Sequence, residues 1–341
     1  MPASLRRQTA RLRASYTRET ASLAAPGIPR RDSNALPLHS GLGLDACSAP
    51  QRRLRALLAL GMFNNGPTSW WPRLVTLADV TRYTFVVSAR HDDLVITARA
   101  PYNVACWLVG RERLPQIGLP GLRVDSSYED GWRLRHLPTG ATMSVTGDRH
   151  GRLRGPLKPD SNYARLWTTD VLVSDEEHAV LNRLPRLSAD TETMLAALTV
   201  RLCAHAPDGS WDIGMWFNDL TDRPGRGHAH HRRLSVEGDR CTLHWDSEPY
   251  PEDLRAALTG PVIGLAGTRI QPTGDGWNLR YGRARLLLVP WRSGPEDTDP
   301  AQGGNRRVGQ PLALDCPAGA ARGLCSRSTR LRTGLLDLSL S

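Results

Sequence analysis

One passage of the chain occurs twice. Ile117-Gly118-Leu119-Pro120-Gly121-Leu122-Arg123-Val124 returns as Ile263-Gly264-Leu265-Ala266-Gly267-Thr268-Arg269-Ile270. Each copy is followed at nearly the same interval by a second matched piece, Asp130-Gly131-Trp132-Arg133-Leu134-Arg135 and Asp275-Gly276-Trp277-Asn278-Leu279-Arg280. Upstream, Pro101-Tyr102 matches Pro249-Tyr250 and Ser69-Trp70 matches Ser210-Trp211. Fixed order with drifting offsets is what duplication followed by small loop insertions leaves behind. The expected fold is therefore α+β, a tandem duplication of a unit of about 95 residues packed as a pseudo-two-fold pair.

Local patterns give that unit the order α-ββ-α-βββ. In the first copy Leu54, Leu57, Leu58 and Leu60 make an apolar helix behind a Ser48–Gln51 capping box. A hairpin of Tyr83–Ser88 with Leu94–Ala98 follows, then a short helix from Pro101, then strands over Leu122–Val124, Trp132–Arg135 and Ala141–Val145. The second copy repeats this with strands at Leu234–Val236 and Cys241–Trp245, a helix from Pro251, and strands at Thr268–Ile270, Trp277–Arg280 and Leu286–Val289. Five segments result: a basic N-terminal arm and linker over 1–53, a first repeat over 54–150, a connector with a short helix capped by Ser174 and Glu177 over 151–190, a second repeat over 191–292, and a Gly-, Pro- and Arg-rich tail over 293–341 expected to be mostly disordered.

Strand alternation assigns faces. Leu122, Val124, Trp132 and Leu134 share one side, as do Trp277 and Leu279; Arg123, Arg135, Arg269 and Arg280 point outward. The paired tryptophans read as core anchors and the Asp-Gly steps as turn chemistry. Outward arginines at equivalent positions have two readings: they contact phosphates or a carboxylate partner, or they pair with acids on the same sheet or across the interface.

The formal charge is +10, yet Lys158 is the only lysine. Such a bias toward arginine fits a GC-rich gene as well as selection for an anionic partner. The excess is uneven, being +7 over residues 1–55 and −1 over residues 188–292. Arg6, Arg7, Arg11, Arg13 and Arg18 flank a Leu5/Leu12/Tyr16/Leu23 stripe on an expected helix from Ser4 to Ala24. That helix suits a nucleic-acid backbone, a membrane surface or an acidic protein; equally, it suits docking of the stripe on the body.

Several chemistries find no support. The lone lysine sits in Pro156-Leu157-Lys158-Pro159, so there is no P-loop, and HExxH and GxSxG are absent. The six cysteines form no CxxC pair and read as reduced thiols of a cytoplasmic protein. No run is long and apolar enough for a transmembrane segment. Cys241 and His244 are three apart on one strand and so face opposite ways, against a zinc site; His231, His244 and Asp246 are left as candidate metal ligands on one face. No cofactor is implied.

The expected function is a non-enzymatic binding protein that contacts DNA or RNA phosphates through the arm arginines and Arg123, Arg135, Arg269 and Arg280. Two alternatives stand beside it. One is an enzyme with its site between the halves, metal-assisted near His231, His244 and Asp246. The other is an interaction or regulatory module of a mobile element or phage, with the arm docked on a protein partner.

Overall fold

In the computed structural model the described residues are 5–29, 42–64, 68–71, 77–109, 118–155, 166–213, 232–245, 250–274 and 276–290. They form a mixed α+β body with two five-stranded sheets of similar topology, consistent with a duplicated unit. The arm contains α1 (Leu5–Thr17) and α2 (Ala21–Ala24). Then come α3 (Ala49–Met62), α4 (Leu77–Tyr83), β1 (Thr84–Arg90), β2 (Asp93–Ala98), α5 (Pro101–Leu108), β3 (Leu122–Tyr128), β4 (Gly131–His136) and β5 (Thr142–Thr146). The connector carries α6 (Asp175–Arg183). The second half has α7 (Ala189–Val200), β6 (Arg232–Glu237), β7 (Arg240–Trp245), α8 (Tyr250–Thr259), β8 (Arg269–Thr273), β9 (Gly276–Tyr281) and β10 (Ala284–Pro290). The tail expectation falls outside the described residues.

Each sheet closes in the same way. The orders are β1-β2-β5-β4-β3 and β6-β7-β10-β9-β8, so the last strand of each half inserts beside the hairpin. That contact is parallel, β2 with β5 and β7 with β10, while all other neighbours are antiparallel. A parallel pair needs a long crossover, here supplied by the helix and the two antiparallel strands between them. The repeated octapeptide forms the same turn twice. Leu119 N–H donates to Leu108 O at 2.7 Å and Leu122 N–H to Leu119 O at 3.0 Å; Leu265 N–H donates to Leu258 O at 2.9 Å and Thr268 N–H to Leu265 O at 3.0 Å. Gly121 and Gly267 occupy the third turn position at φ +77° and +85°, a conformation that favours glycine.

The inner faces of both sheets and the helices share one core. α3 packs chiefly against α7, and the two helices end on each other's half. Past the end of α3, Asn64 Nδ2 donates to Leu234 O at 3.2 Å and Asn64 Oδ1 accepts from Leu234 N–H at 3.1 Å, completing the edge strand β6. Past the end of α7, the Cys203 thiol lies 3.8 Å from Thr84 O on the edge strand β1. Thr199 Oγ1 donates to Arg55 O at 2.8 Å between the helices. Leu54, Leu58, Leu60, Met194, Leu195 and Leu198 are all buried between the two halves' helices and sheets.

Two details depart from the sequence reading and one matches it. The arm is not one helix: the chain breaks at Arg18, which has φ +58°, so that Glu19 folds back onto Arg13. Ser48 stands at the N-cap of α3 without a side-chain capping bond, and Gln51 is buried instead of closing a box. The Ser174/Glu177 capping box does form on α6.

Two tests follow from this packing. Asn64→Ala leaves the N–H and C=O of Leu234 unpaired in the core and is expected to cost about 1–3 kcal/mol in urea denaturation. His136 is held down to about 4 by burial, and its Nε2–H donates to Pro120 O at 3.1 Å. Between pH about 6.5 and 4 the unfolded chain takes up a proton that the folded one refuses. Stability should therefore fall across that window on acidification, and His136→Gln should flatten the dependence.

Candidate nucleic-acid interface

Register aligns one row of residues across each sheet. In the first it runs Arg90, Asp93, Thr142, Arg135, Arg123; in the second it runs Glu237, Arg240, Arg285, Arg280, Arg269. The four arginines noted as matched in sequence thus occupy equivalent strand positions on equivalent outer faces. Their surroundings differ completely.

The outer face of the first sheet is covered. Leu23 of the arm packs with Val86 and Val95, and Ser88 Oγ donates to Leu23 O at 3.3 Å. Arg13 has no exposed side-chain surface; it forks onto Glu19 at 2.6 and 2.9 Å and donates to Ala89 O at 2.9 Å and Leu42 O at 3.2 Å. Gly27 lies so close that a Cβ there would sit 2.2 Å from Ala89 O. The arm therefore docks on the body through Ala10, Arg13, Thr17 and Leu23, whereas Leu5 and Leu12 of the expected stripe are exposed.

The connector covers the rest of that face. Trp167 O accepts from Val124 N–H at 2.8 Å, Thr169 N–H donates back to Val124 O at 3.1 Å, and the Trp167 ring lies 4.9 Å from the Arg123 guanidinium. Arg123, expected to face outward, is 1% exposed and bound to Glu177 at 2.6 and 2.9 Å. Burial alone would raise the Glu177 carboxyl, but hydrogen bonds from Arg123 and from the Gly121 and Ser174 N–H groups outweigh it and hold it below the usual range. Arg135 pairs with Asp125 at 3.0 Å, and Arg90 lies 3.7 Å from Asp93. Each cation of this row has an acid beside it.

The second row holds one acid, Glu237, opposite Arg240 at its edge. Arg240, Arg285, Arg280 and Arg269 are exposed, and none of their side chains makes an ion pair or hydrogen bond among the described residues. Adjacent strands lie about 4.8 Å apart, so the four cations line up over roughly 14 Å. Ser235, Thr242, Leu287, Asn278 and Gln271 occupy the next outward row, and Arg233, His244 and Val289 the one beyond. No described element packs over this face. Apart from Glu237, acids of the second half lie elsewhere: Asp190 accepts from Arg283 N–H, Glu192 binds Arg52 and Arg53, Asp239 binds Ser188 and Thr191, and Asp212 binds Arg18. A near-zero charge along residues 188–292 thus conceals a basic sheet face, because sequence summation ignores which surface each charge occupies.

The other arm arginines are scattered. Arg6 donates to Ala25 O, Arg18 pairs with Asp212, and Arg7 and Arg11 are exposed without an ion pair among the described residues. Arg240 and Arg285 escaped the sequence comparison because their counterparts are Asp93 and Thr142; only strand register exposes the row.

His231 and Asp246 lie outside the described residues, and no group of three His, Cys, Asp or Glu side chains among the described residues could hold an ion. His244 lies on the outer face, lowered by burial and by Arg233, while Cys241 points into the core, where burial pushes its thiol up to about 12. A cleft of about 350 Å³ does open between the halves, beside Asp45, Cys47, Arg52, Thr193 and Tyr281. Its carboxylate is committed: Asp45 forks onto the buried Arg201 at 2.6 and 2.7 Å. No helix among the described residues is long and apolar enough to cross a membrane.

Glu177→Ala should strip the buried Arg123 of its counter-charge and destabilise the fold by about 3–5 kcal/mol. Because the folded carboxyl is depressed, its contribution is full above the unfolded value of about 4.3 and disappears as pH drops through the folded value. An acid-unfolding series of wild type against the variant should therefore converge at low pH.

No family model, curated protein or solved structure matches the chain.

Proposed function

We propose that this chain is two copies of one α-ββ-α-βββ unit paired about a pseudo-two-fold axis, and that it binds nucleic acid through the outer face of the second sheet. The observation carrying the reading is the row Arg240, Arg285, Arg280, Arg269, four exposed cations in register with one acid, Glu237, at the edge and no ion pair among the described residues. Like charges directly opposite each other on neighbouring strands destabilise a sheet. Three such contacts in one row make sense where a polyanion supplies the counter-charge.

Guanidinium groups fork onto phosphate oxygens, and such contacts set affinity and orientation without reading sequence. The flanking amides and hydroxyls of Asn278, Gln271, Ser235 and Thr242 add short donors beside the cations. The arm is cast as structure in this reading, with Arg7 and Arg11 adding attraction only from the periphery. Deleting residues 1–25 would expose Val86, Val95 and the acceptors of Arg13, so point substitution is the sound test.

The test is anisotropy of a labelled DNA duplex and an RNA hairpin across a salt series. Four phosphate contacts predict a log–log salt slope near −3 to −4 for duplex, falling by about one for each arginine removed. Arg280→Gln should weaken binding while leaving thermal stability unchanged or raising it by about 0.2–1 kcal/mol, since it relieves repulsion from both neighbours. Absence of retention at low salt, or equal binding by the Arg240/Arg280/Arg285 triple glutamine variant, refutes the reading.

A further inference from the structure

The two halves present the same pair of donors, and only one of the pairs is filled. In the first half the turn glycine and the arginine two residues on form a receptor for an oxyanion. Gly121 N–H donates to Glu177 Oε1 at 2.8 Å; Arg123 Nη1 donates to the same oxygen at 2.9 Å, and Arg123 Nη2 to Oε2 at 2.6 Å. The guanidinium is steadied by its own strand, since Nη1 also reaches Leu122 O at 3.0 Å. The ligand is brought by the connector, whose α6 begins with the Ser174/Glu177 box.

The second half repeats the receptor without the ligand. Gly267 stands at the same turn position with the same sign of φ, in a turn closed by the matching hydrogen bonds, and Arg269 follows two residues later at the equivalent place in the strand row. Both residues are exposed, and a Cβ on Gly267 would meet nothing within 4 Å. No described acid reaches Arg269, and no described segment lies along β8 as 166–169 lies along β3.

We infer that Gly267 N–H and Arg269 form an open oxyanion receptor that seats one backbone phosphate of the bound nucleic acid. The inference rests on the reading above and names the anchor point of that interface. A phosphodiester offers two unesterified oxygens that can take the place of the two carboxylate oxygens of Glu177, and the planar fork of arginine accepts either group. Phosphate is favoured over a protein carboxylate because Arg269 ends a row with three further exposed arginines and a single acid, Glu237, at its far edge, where the first half has Asp93 and Thr142 in place of Arg240 and Arg285. Arg269 then fixes the register of the strand, and Arg280, Arg285 and Arg240 follow it across the sheet.

The experiment uses the full chain, with the Gly267 amide followed by NMR during titration with inorganic phosphate, with a duplex, and with a synthetic peptide of the sequence of residues 166–183. The amide should shift with phosphate and with duplex. Arg269→Lys, which keeps the charge and loses the fork, should abolish the phosphate shift and weaken duplex binding about tenfold. Arg240→Lys should change duplex binding less than twofold. If duplex binds with the predicted salt slope but the amide stays still and the two lysine variants behave alike, the receptor is overturned while the broader interface stands. If phosphate moves the amide but duplex does not bind, the receptor stands and the nucleic-acid assignment falls. Tighter binding of the peptide than of the duplex would make the occupant a protein carboxylate and overturn the phosphate assignment.

Discussion

Two helices hold the molecule together. α3 and α7 press against each other, and each carries its own half's apolar residues into the other half. Their ends finish the partner sheet's edge: Asn64 supplies both hydrogen bonds that Leu234 would otherwise lack, and Cys203 lies against Thr84. Unpaired buried backbone groups are expensive, so those edges are dependent on the helix pair. The sheets' inner faces are equally dependent, because Leu234, Leu243, Leu94 and Leu134 belong to one continuous core. The two similar sheets thus share one core and are not two separate beads.

With both inner faces used, function is left to the outer faces, and there the halves diverge. The first is closed by its own chain: the arm brings Leu23 and the Arg13–Glu19 pair, and the connector brings Trp167 and Glu177. Closure demands that each buried guanidinium find acceptors, since a charge without them carries a desolvation cost of several kcal/mol. Arg13 and Arg123 satisfy that demand with carboxylates and backbone carbonyls alike. The second outer face has none of these elements among its described neighbours, and its row holds arginine where the first holds Asp93 and Thr142. One architecture therefore yields one outer face packed by its own chain and one on which exposed arginines stand in register.

Arginine's shape accounts for its service in both settings. Its fork matches a carboxylate when buried and a phosphate when exposed, and it stays charged under either condition. Arg123 and Arg269 occupy one position in one repeated passage, yet the first stabilises the fold and the second stands open. Neither role is written in the residue; it is set by whether a capping glutamate arrives nearby. Glu177 arrives because Ser174 starts α6 where the connector crosses β3.

The amino-acid sequence alone pointed to two similar sets of strands, because alternation and apolar spacing act over a few residues; the turns at Gly121 and Gly267 emerged only in the structure. The sequence also assigned the inward tryptophans and the outward side of Arg269 and Arg280, since a strand's two faces follow from its period of two. Tertiary structure decided the rest. The parallel insertion of β5 and β10 joins segments about 50 residues apart, and only that pairing sets Arg285 beside Arg240 and Arg280. Burial of Arg13 and Arg123 likewise depended on partners six and 54 residues away, which no local pattern encodes. Local chemistry writes the elements; long-range packing chooses which charges meet water.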